Sequence, residues 1–395
     1  MGEVAASVVI PVFNSAHCLR PCLDSVLAQT RGDFEVICVD NGSTDQSPAI
    51  LAEYAARDGR VRALSVPEPG VSRARNAGIA QAHGRYLLFV DSDDTVDPRL
   101  VERAIGEAEK FDAQLVVYTY DECYEDPCAY FPRPLCPRED AYGRVVSTRE
   151  LDFPVSLAVT PNVWRIAFLA SYVRELGLGF PEELSTSEDL VFVHRALLPA
   201  ERVVLLPDML YHYRRDRSAS LTRGDRHAAG ILALRQVFSA LSPAHGQRWF
   251  DLQFVNLVLE TFEYQMRTCA TPEEYLELFS GYQREWAAYV DEHADLVDGL
   301  YARFFSRMQA QDPLVNLFAQ HADAEGYAES VRVWDQAHKQ ELTACHERIG
   351  CLEEELAAER ARAEALRTEL DGVYGSRSWR VARAVAGLAR GRDRE

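Results

Sequence analysis

The stretch LLFVDSDDTVDP, Leu87 to Pro98, changes abruptly from an apolar run to a cluster of acids. Leu87 to Val90 is apolar on both faces, which is typical of a strand buried in a parallel sheet. Three carboxylates, Asp91, Asp93 and Asp94, fall within the next four positions, although like charges at this spacing repel one another. Such a cluster predicts either a polar turn before a helix or a site for a divalent cation.

Strand-like and helix-like patterns alternate through the first 120 residues. Apolar residues from Leu19 to Leu27 recur at helical spacing, and Asp97 followed by Pro98 predicts the start of a helix that reaches Phe111. This order predicts an α/β fold with a doubly wound, mostly parallel sheet, whose ligands bind beyond the carboxyl ends of the strands. The predicted strands are Ser7 to Val12, Phe34 to Asp40, Val61 to Val66, Tyr86 to Asp91 and Gln114 to Tyr120.

Polar stretches follow these strands, at the edge where a parallel sheet gathers its carboxyl ends. Besides the acids of DSDD, they are PVFN at Pro11 to Asn14, DNGSTD at Asp40 to Asp45 and PGVSRARNAG at Pro69 to Gly78. A diphosphate can bind among carboxylates only when a divalent cation lies between them. DSDD alone favours a metal site and a helix-capping turn about equally, and the other stretches favour the metal site. Together they predict a nucleoside diphosphate held with Mn²⁺ or Mg²⁺, with Asp91 and Asp93 as metal ligands.

The order and spacing of these motifs resemble a known family. VVIPVFNSAHCLRPCLDSVLAQT, FEVICVDNGSTDQS, PGVSRARNAG and GRYLLFVDSDD are similar to the successive motifs of family 2 glycosyltransferases, which are inverting enzymes of the GT-A fold. The resemblance covers roughly residues 5 to 120. It continues in Val163 to Leu197 and in Leu210 to Thr222, which resemble the acceptor-side half of bacterial members.

The resemblance implies roles for individual residues. Asp91 and Asp93 would form the DxD element, with Asp93 as the direct metal ligand, and Asp189 would be the catalytic base. Many relatives have Asp where this chain has Asn41, so uridine and thymidine both remain open as the nucleoside. The residues that the resemblance places at the base, ribose or diphosphate are Pro11, Val12, Phe13, Asn14, Asp40, Asn41, Ser43, Arg75, Asn76 and Ser92.

The expected reaction is a single displacement. A metal ion would stabilise the charge on the leaving diphosphate, and a carboxylate on the opposite face of the sugar would take the proton of the acceptor hydroxyl. Asp189 is expected in that role, with Glu188 orienting the substrate or Asp189. The motif STSED also fits a helix start with acids in its first turn, and taken alone that interpretation is the stronger one. Its position about one hundred residues after DSDD favours catalysis.

The rest of the chain suggests four segments. A GT-A domain is predicted over 1–222, with a nucleotide-binding half at 1–120, an acceptor half at 121–222 and a long loop from Asp121 to Pro137. A helical domain is expected at 223–334, and apolar heptads predict a coiled coil at 335–374. The tail at 375–395 is basic and amphipathic, with six arginines and one aspartate between Ser376 and Arg394. An anchor on anionic lipid and a solubilising tail both remain open for it.

Composition limits the partners and the location. A net charge of -19 argues against general nucleic-acid binding. The nine scattered cysteines, the absence of a signal-peptide pattern and the lack of a long apolar window suggest a cytoplasmic protein, with any membrane contact peripheral at the inner face. Expected partners are a nucleotide sugar, a glycan, lipid-linked or protein acceptor, and further copies of the chain through the coiled coil.

Other functional classes fit the sequence less well. A catalytically idle scaffold that assembles through the coiled coil is the main alternative, and the intact Asp91, Asp93 and Asp189 argue against it. No GxGxxG motif follows the first strand, which argues against a dinucleotide-dependent dehydrogenase. A nucleotidyltransferase would be expected to carry a glycine-rich loop with a basic residue there, where this chain has PVFNSA.

Overall fold

The computed structural model describes residues 4–124, 129–133, 141–155, 159–215, 226–269, 271–309 and 362. One compact unit covers Met1–Leu317. The predicted coiled coil at 335–374 and the basic tail at 375–395 lie outside the described residues, apart from Arg362.

The unit consists of one large mixed sheet with helices. Its strands are β1 (Ala6–Val12), β2 (Phe34–Asp40), β3 (Val61–Ser65), β4 (Tyr86–Phe89), β5 (Thr95–Val96), β6 (Leu115–Tyr124), β7 (Ala129–Arg133), β8 (Val145–Val146), β9 (Ile166–Leu169) and β10 (Val203–Arg214). Its helices are α1 (Leu19–Leu27), α2 (Ser47–Arg57), α3 (Val71–Gln81), α4 (Leu100–Phe111), α5 (Ala170–Glu175), α6 (Glu188–Leu197), α7 (Arg226–Ala240), α8 (Arg248–Arg267), α9 (Pro272–Glu285), α10 (Ala287–Glu292) and α11 (Ala302–Met308). None of the helices in the described ranges is both long and apolar enough to cross a bilayer.

The first half of the sheet confirms the predicted topology. The strand order is β3-β2-β1-β4-β9-β6-β10-β5, and the first four strands in this order are parallel to one another. The residues of β1, β2 and β4 are almost all buried, as continuous apolar runs predict for strands covered on both faces, whereas β3 at the edge of the sheet is mostly exposed or partly exposed. The carboxyl ends of these four strands therefore lie along one edge.

The second half of the sheet is mixed, so the prediction of a mostly parallel sheet was wrong there. β9 lies between β4 and β6 and is antiparallel to both, whereas β10 is parallel to β6. The reason lies in the turn of 3₁₀-helix, Val163–Arg165, that precedes β9. This turn contacts Asp189 at the carboxyl edge, so the strand that follows it must run away from that edge.

The predicted loop at Asp121 to Pro137 was also partly wrong. β6 continues to Tyr124 and pairs with β7 in antiparallel register, from Tyr120 opposite Arg133 to Tyr124 opposite Ala129. Proline and cysteine in this stretch obscured the alternating pattern. Pro132 lies within β7 opposite Asp121.

The helices after residue 225 share their core with the sheet. A stripe of residues on α8 is buried and belongs to one apolar cluster with residues such as Phe168 of β9; it consists of Phe254, Leu257, Val258 and Phe262. The burial of this helical face stabilises the second half of the sheet from one side.

Helix α3 lies unusually close to β1. A Cβ atom at Gly78 would collide with the side chain of Val9, so only glycine permits this packing distance. Gly78 thus fixes the position of the helix that carries Arg75 and Asn76 relative to the sheet.

Candidate active site

The tips of β1 and β2 are joined by hydrogen bonds. The backbone N–H of Asn14 donates to Ser43 Oγ at 3.0 Å, and the N–H of Thr44 donates to Asn14 Oδ1 at 2.8 Å. Asn14 has a φ of 49°, a left-handed conformation that asparagine tolerates better than most residues. Asp45 Oδ2 accepts from the N–H of Ala16 at 2.9 Å. The PVFN and DNGSTD motifs therefore form one surface, as the sequence predicts.

The acidic turn after β4 joins the same surface. Ser15 Oγ and Ser92 Oγ are 2.7 Å apart and both residues are buried, so the residue that follows PVFN contacts DSDD directly. Phe13, the residue after β1, is 44% exposed on the same surface. A polar surface with one exposed ring suits a ligand that has both a planar base and polar groups.

Asp94 explains why three acids can share one turn. Its carboxylate is 1% exposed and accepts from the hydroxyl of Tyr211 at 2.8 Å and from the backbone N–H of Arg214 at 2.9 Å. The same Tyr211 hydroxyl accepts from the N–H of Asp91 at 3.1 Å. Asp94 therefore ties the turn to β10, whereas Asp91 and Asp93 are partly exposed.

Trp164 forms part of the support beneath this turn. It is 3% exposed, stacks on Tyr211 with ring centroids 4.3 Å apart and stacks on Tyr213 at 5.5 Å. Trp164 is thus a core residue that packs against the tyrosine holding Asp94.

Arg75 on α3 connects the acidic turn to helix α6. Its side chain is 4% exposed, and its Nη2 lies 3.1 Å from Asp91 Oδ1. Its Nη1 lies 2.9 Å from Glu188 Oε1 and 2.7 Å from Asp189 Oδ1. One guanidinium therefore contacts three carboxylates from two distant parts of the sequence. Within this group of four residues, negative charge exceeds positive charge by two.

The environment of Asp189 suits a proton acceptor. Its Oδ2 accepts from the N–H of Val163 at 3.3 Å, and Ser187, which precedes α6, makes no side-chain capping bond. Burial raises the pKa of Asp189 to about 7; the charges of Glu188 and Asp91 add to this effect, and Arg75 opposes it. The side chain contacts Arg75 and Val163 rather than its own helix end, which favours catalysis over capping.

Three residues that the resemblance places near the nucleotide have structural contacts instead. Asn41 is 3% exposed, its Nδ2 donates to Glu68 O at 2.7 Å, and its Oδ1 accepts from the N–H of Gly70 at 2.6 Å. Asn76 donates to and accepts from the backbone of Phe180 at 2.9 and 2.8 Å. Arg75 is the third, with the carboxylate contacts described above. Their hydrogen-bonding groups are engaged within the protein, and the contact with base or diphosphate that the resemblance implies stays a prediction.

A second group of potential ligands lies on β6 and β10. Asp121, Cys123 and His212 place their ligand atoms within 4.8 Å of one another, and His212 Nδ1 is 2.8 Å from Asp121 Oδ1. His212 pairs with Thr95, one residue after the acidic turn. This arrangement brings an imidazole near the carboxylates of DSDD.

Several supporting residues were missed by the sequence interpretation. Ser15, Asp94, Tyr211 and Phe180 all contact residues of the predicted site. Ser15 and Asp94 lie beside or within the matched motifs, where any polar residue was a candidate. Tyr211 and Phe180 carried no signal, because aromatic residues near the end of a strand usually belong to the core.

Comparisons with known proteins agree with this geometry. A sequence profile described as "Glycosyl transferase family 2" matches residues 7–158. Glycosyltransferase GlyG of Streptococcus pneumoniae is 30% identical over 292 residues, which cover 69% of this chain and 93% of GlyG. The uncharacterized glycosyltransferase EpsJ of Bacillus subtilis is 33% identical over 208 residues, which cover 53% of this chain and 60% of EpsJ.

A solved structure shows the same fold. The crystal structure of residues 1–349 of Staphylococcus aureus TarS, in complex with UDP-GlcNAc, superposes with a TM-score of 0.64 at 20% identity, and the match covers 82% of this chain and 92% of that one. TarS is named as a poly(ribitol-phosphate) beta-N-acetylglucosaminyltransferase. From the motifs, the fold and the extent of the match to GlyG, we conclude that the chain belongs to glycosyl transferase family 2.

Proposed function

We propose that this glycosyltransferase moves a sugar, with inversion, from a nucleoside diphosphate sugar to a hydroxyl group of an acceptor in cell-surface glycan assembly. The observation that carries the proposal is the meeting of Asp91 and Asp189 on the guanidinium of Arg75, with 3.1 and 2.7 Å contacts. This meeting brings a candidate metal ligand and a candidate base to one place beside the nucleotide motifs.

The donor would lie on the surface formed by the tips of β1 and β2. The ring of Phe13 is exposed and can lie against a base. At the tip of β2, Asp40 is partly exposed, and its Oδ1 accepts from the N–H of Ser43 at 3.3 Å. A carboxylate can accept from the imide N–H of uracil or thymine. The UDP-GlcNAc complex of TarS supports a UDP sugar, with dTDP as the alternative. The other residues assigned to the nucleotide are Pro11, Val12, Asn14, Ser43 and Ser92.

The residues of the acidic turn fit a divalent cation. Asp91 and Asp93 offer hard carboxylate oxygens, the ligands that Mg²⁺ and Mn²⁺ prefer. The three carboxylates that contact Arg75 bring negative charge to this place, which is of the sign that a cation would compensate. We assign the ion to Asp91 and Asp93, and when bound it would stabilise the negative charge of the departing diphosphate.

Asp189 would act on the acceptor. With a pKa near 7, its carboxylate can take a proton from an acceptor hydroxyl as the C–O bond forms, which matches base strength to the working pH. The hydrogen bond from Val163 and the contact with Arg75 fix the orientation of the carboxylate. In the reaction the donor's anomeric C–O bond breaks, the nucleoside diphosphate leaves, and the proton passes to Asp189.

The acceptor is inferred from relatives alone. TarS is named for action on poly(ribitol-phosphate), and a Bacillus spizizenii relative, 31% identical over 218 residues, is named poly(ribitol-phosphate) beta-glucosyltransferase. These names support a polyol-phosphate or related cell-surface glycan as the first acceptor class to assay.

The test measures turnover of UDP and dTDP sugars, with and without metal, by the wild-type protein and by the variant Asp189→Asn. The wild-type protein should release nucleoside diphosphate from UDP or dTDP sugars only when Mn²⁺ or Mg²⁺ is present. Asp189→Asn should bind the donor with unchanged affinity and lose transfer, and the product should have the opposite anomeric configuration to the donor. Transfer that persists in Asp189→Asn, or product that retains the donor's configuration, would contradict the proposal.

A further inference from the structure

The geometry points to Arg75 as a positioning residue that holds the base and the metal-binding turn in a fixed relation. This inference rests on the proposed function. Arg75 reaches Asp91 through Nη2, and Glu188 and Asp189 through Nη1. The two terminal nitrogens of one rigid, planar group therefore set the distance between the acidic turn and the first turn of α6.

The guanidinium is itself held from the other side. Its central carbon lies 5.2 Å from the centroid of the Phe180 ring. The backbone of Phe180 is fixed by two hydrogen bonds with Asn76, the residue after Arg75 on α3: Asn76 Nδ2 donates to Phe180 O, and the N–H of Phe180 donates to Asn76 Oδ1. Phe180 also stacks on Phe192 of α6, with ring centroids 4.1 Å apart and planes 2° apart. The aromatic pair thus connects the position of Arg75 to the helix that carries Asp189.

This arrangement depends on the shape of arginine as well as its charge. A guanidinium can contact carboxylates through two nitrogens at once, whereas an ammonium group is a single point of charge. Lysine at position 75 would keep the compensating charge and could not maintain both contacts. The base would then shift relative to the turn, and a displacement of about 1 Å in such a site can lower the rate about 100-fold.

Arg73 provides a matched control on the same helix. It lies two residues before Arg75 on α3, and its side chain is 39% exposed. It pairs with Glu182 at 3.0 Å, in the segment that also contains Phe180. Arg73→Lys therefore makes the same chemical change in the same helix, outside the group that contacts Asp91 and Asp189.

The experiment compares Arg75→Lys with Arg73→Lys in the full chain, with Mn²⁺ and the donor sugar that the wild-type protein uses. Arg75→Lys is expected to lower kcat about 100-fold and to change the donor Kd, measured by calorimetry, by less than about 3-fold. Arg73→Lys is expected to match the wild type in both. A kcat for Arg75→Lys within about 3-fold of the wild type would overturn the inference, as would an equal loss in kcat and donor affinity.

A second variant covers the case in which Arg75→Lys does not fold. Phe180→Leu removes the ring against the guanidinium and leaves every charge in place. It should lower kcat about 3- to 10-fold with an unchanged donor Kd, and an unchanged kcat would overturn the inference. Comparison of the wild-type and Asp189→Asn proteins distinguishes a failure of the positioning role from a failure of the proposed function. If wild-type transfer requires Asp189 and survives Arg75→Lys, the positioning role is wrong; if transfer does not require Asp189, the proposed function is wrong.

Discussion

The clearest physical consequence of the site is that Asp189 should make the protein less stable as the pH rises. Burial raises the pKa of this carboxyl group from 3.8 to about 7, so the folded protein holds a proton that the unfolded chain releases. Stability is therefore lost as pH increases from about 3.8 to about 7, and the loss levels off above that value. Asp189→Asn removes the titration, so the variant should be the more stable protein at neutral pH.

The magnitude follows from the pKa. Each unit of pKa difference corresponds to about 1.4 kcal/mol, so the free energy of unfolding of Asp189→Asn relative to the wild type should rise by about 2 kcal/mol between about pH 5.5 and 7. The difference should then stay nearly constant to about pH 8.5. This range stays above the sequence pI of about 5.0, where solubility would be lowest.

Urea unfolding of both proteins across this pH range measures the difference. Asp295→Asn is the control, because Asp295 is 70% exposed and its pair with Arg248 lies in solvent. The same substitution there measures the effect of removing a carboxylate outside the buried site. A difference between Asp189→Asn and the wild type that is flat or shrinks from about pH 5.5 to 7 would refute the assignment of a raised pKa to this group.

Four further predictions concern the metal turn, the β2 tip, the packing of the sheet and the C-terminal segment. Asp93→Ala should reduce metal-stimulated donor turnover by at least ~100-fold with an unchanged circular dichroism spectrum, since a bound metal contributes several kcal/mol to such a step; undiminished turnover would contradict the ligand assignment. Asn41→Ala should lower the free energy of unfolding by about 1–3 kcal/mol because it removes two hydrogen bonds that the buried Asn41 amide makes with the backbone of Glu68 and Gly70; a loss of nucleotide affinity at unchanged stability would instead assign Asn41 to the base. Gly84→Ala should destabilise the protein by about 1–3 kcal/mol or more in urea, because its Cβ would collide with the backbone of Ala6 and Ser7; a neutral effect would show that this contact can relax. Removal of residues 336–395 should change the mass measured by light scattering more than it changes turnover, and an unchanged mass would argue against the predicted coiled coil.

The parallel half of the fold was predictable because its signals are local. Continuous apolar runs such as Leu87 to Val90 identify buried strands, and parallel strands must gather their carboxyl ends at one edge. The contact between Ser15 and Ser92 and the one between Asn14 and Ser43 follow from that rule. The family motifs lie in this half, which is why its site could be drawn from the sequence.

The second half was less predictable because its arrangement depends on contacts between distant residues. The direction of β9 is set by where the chain meets Asp189, and no local pattern encodes that. Asn41 and Asn76 look like ligand-binding residues in the sequence, but the structure uses their amides on backbone groups. An amide that pairs with a residue 104 positions away leaves no periodic signal.

The roles of Arg75 and Asp94 show the same limit. Both lie in motifs that the sequence marks as functional. The residues that each of them contacts decide whether it supports the site or binds a ligand directly. Arg75 contacts carboxylates that lie 16, 113 and 114 positions away. Asp94 depends on Tyr211, 117 positions away. These separations can be resolved only in three dimensions.

The central claim is that Asp91 and Asp93 hold a divalent cation against a nucleoside diphosphate, with Asp189 on the acceptor side. A crystal structure of the protein with Mn²⁺ and the UDP or dTDP product tests it most directly, because the anomalous signal of manganese locates the ion. The account predicts a manganese peak bonded to Asp93 and to the diphosphate, next to Asp91. A bound nucleotide with no manganese at these carboxylates, or a nucleotide outside the tips of β1 and β2, would contradict it.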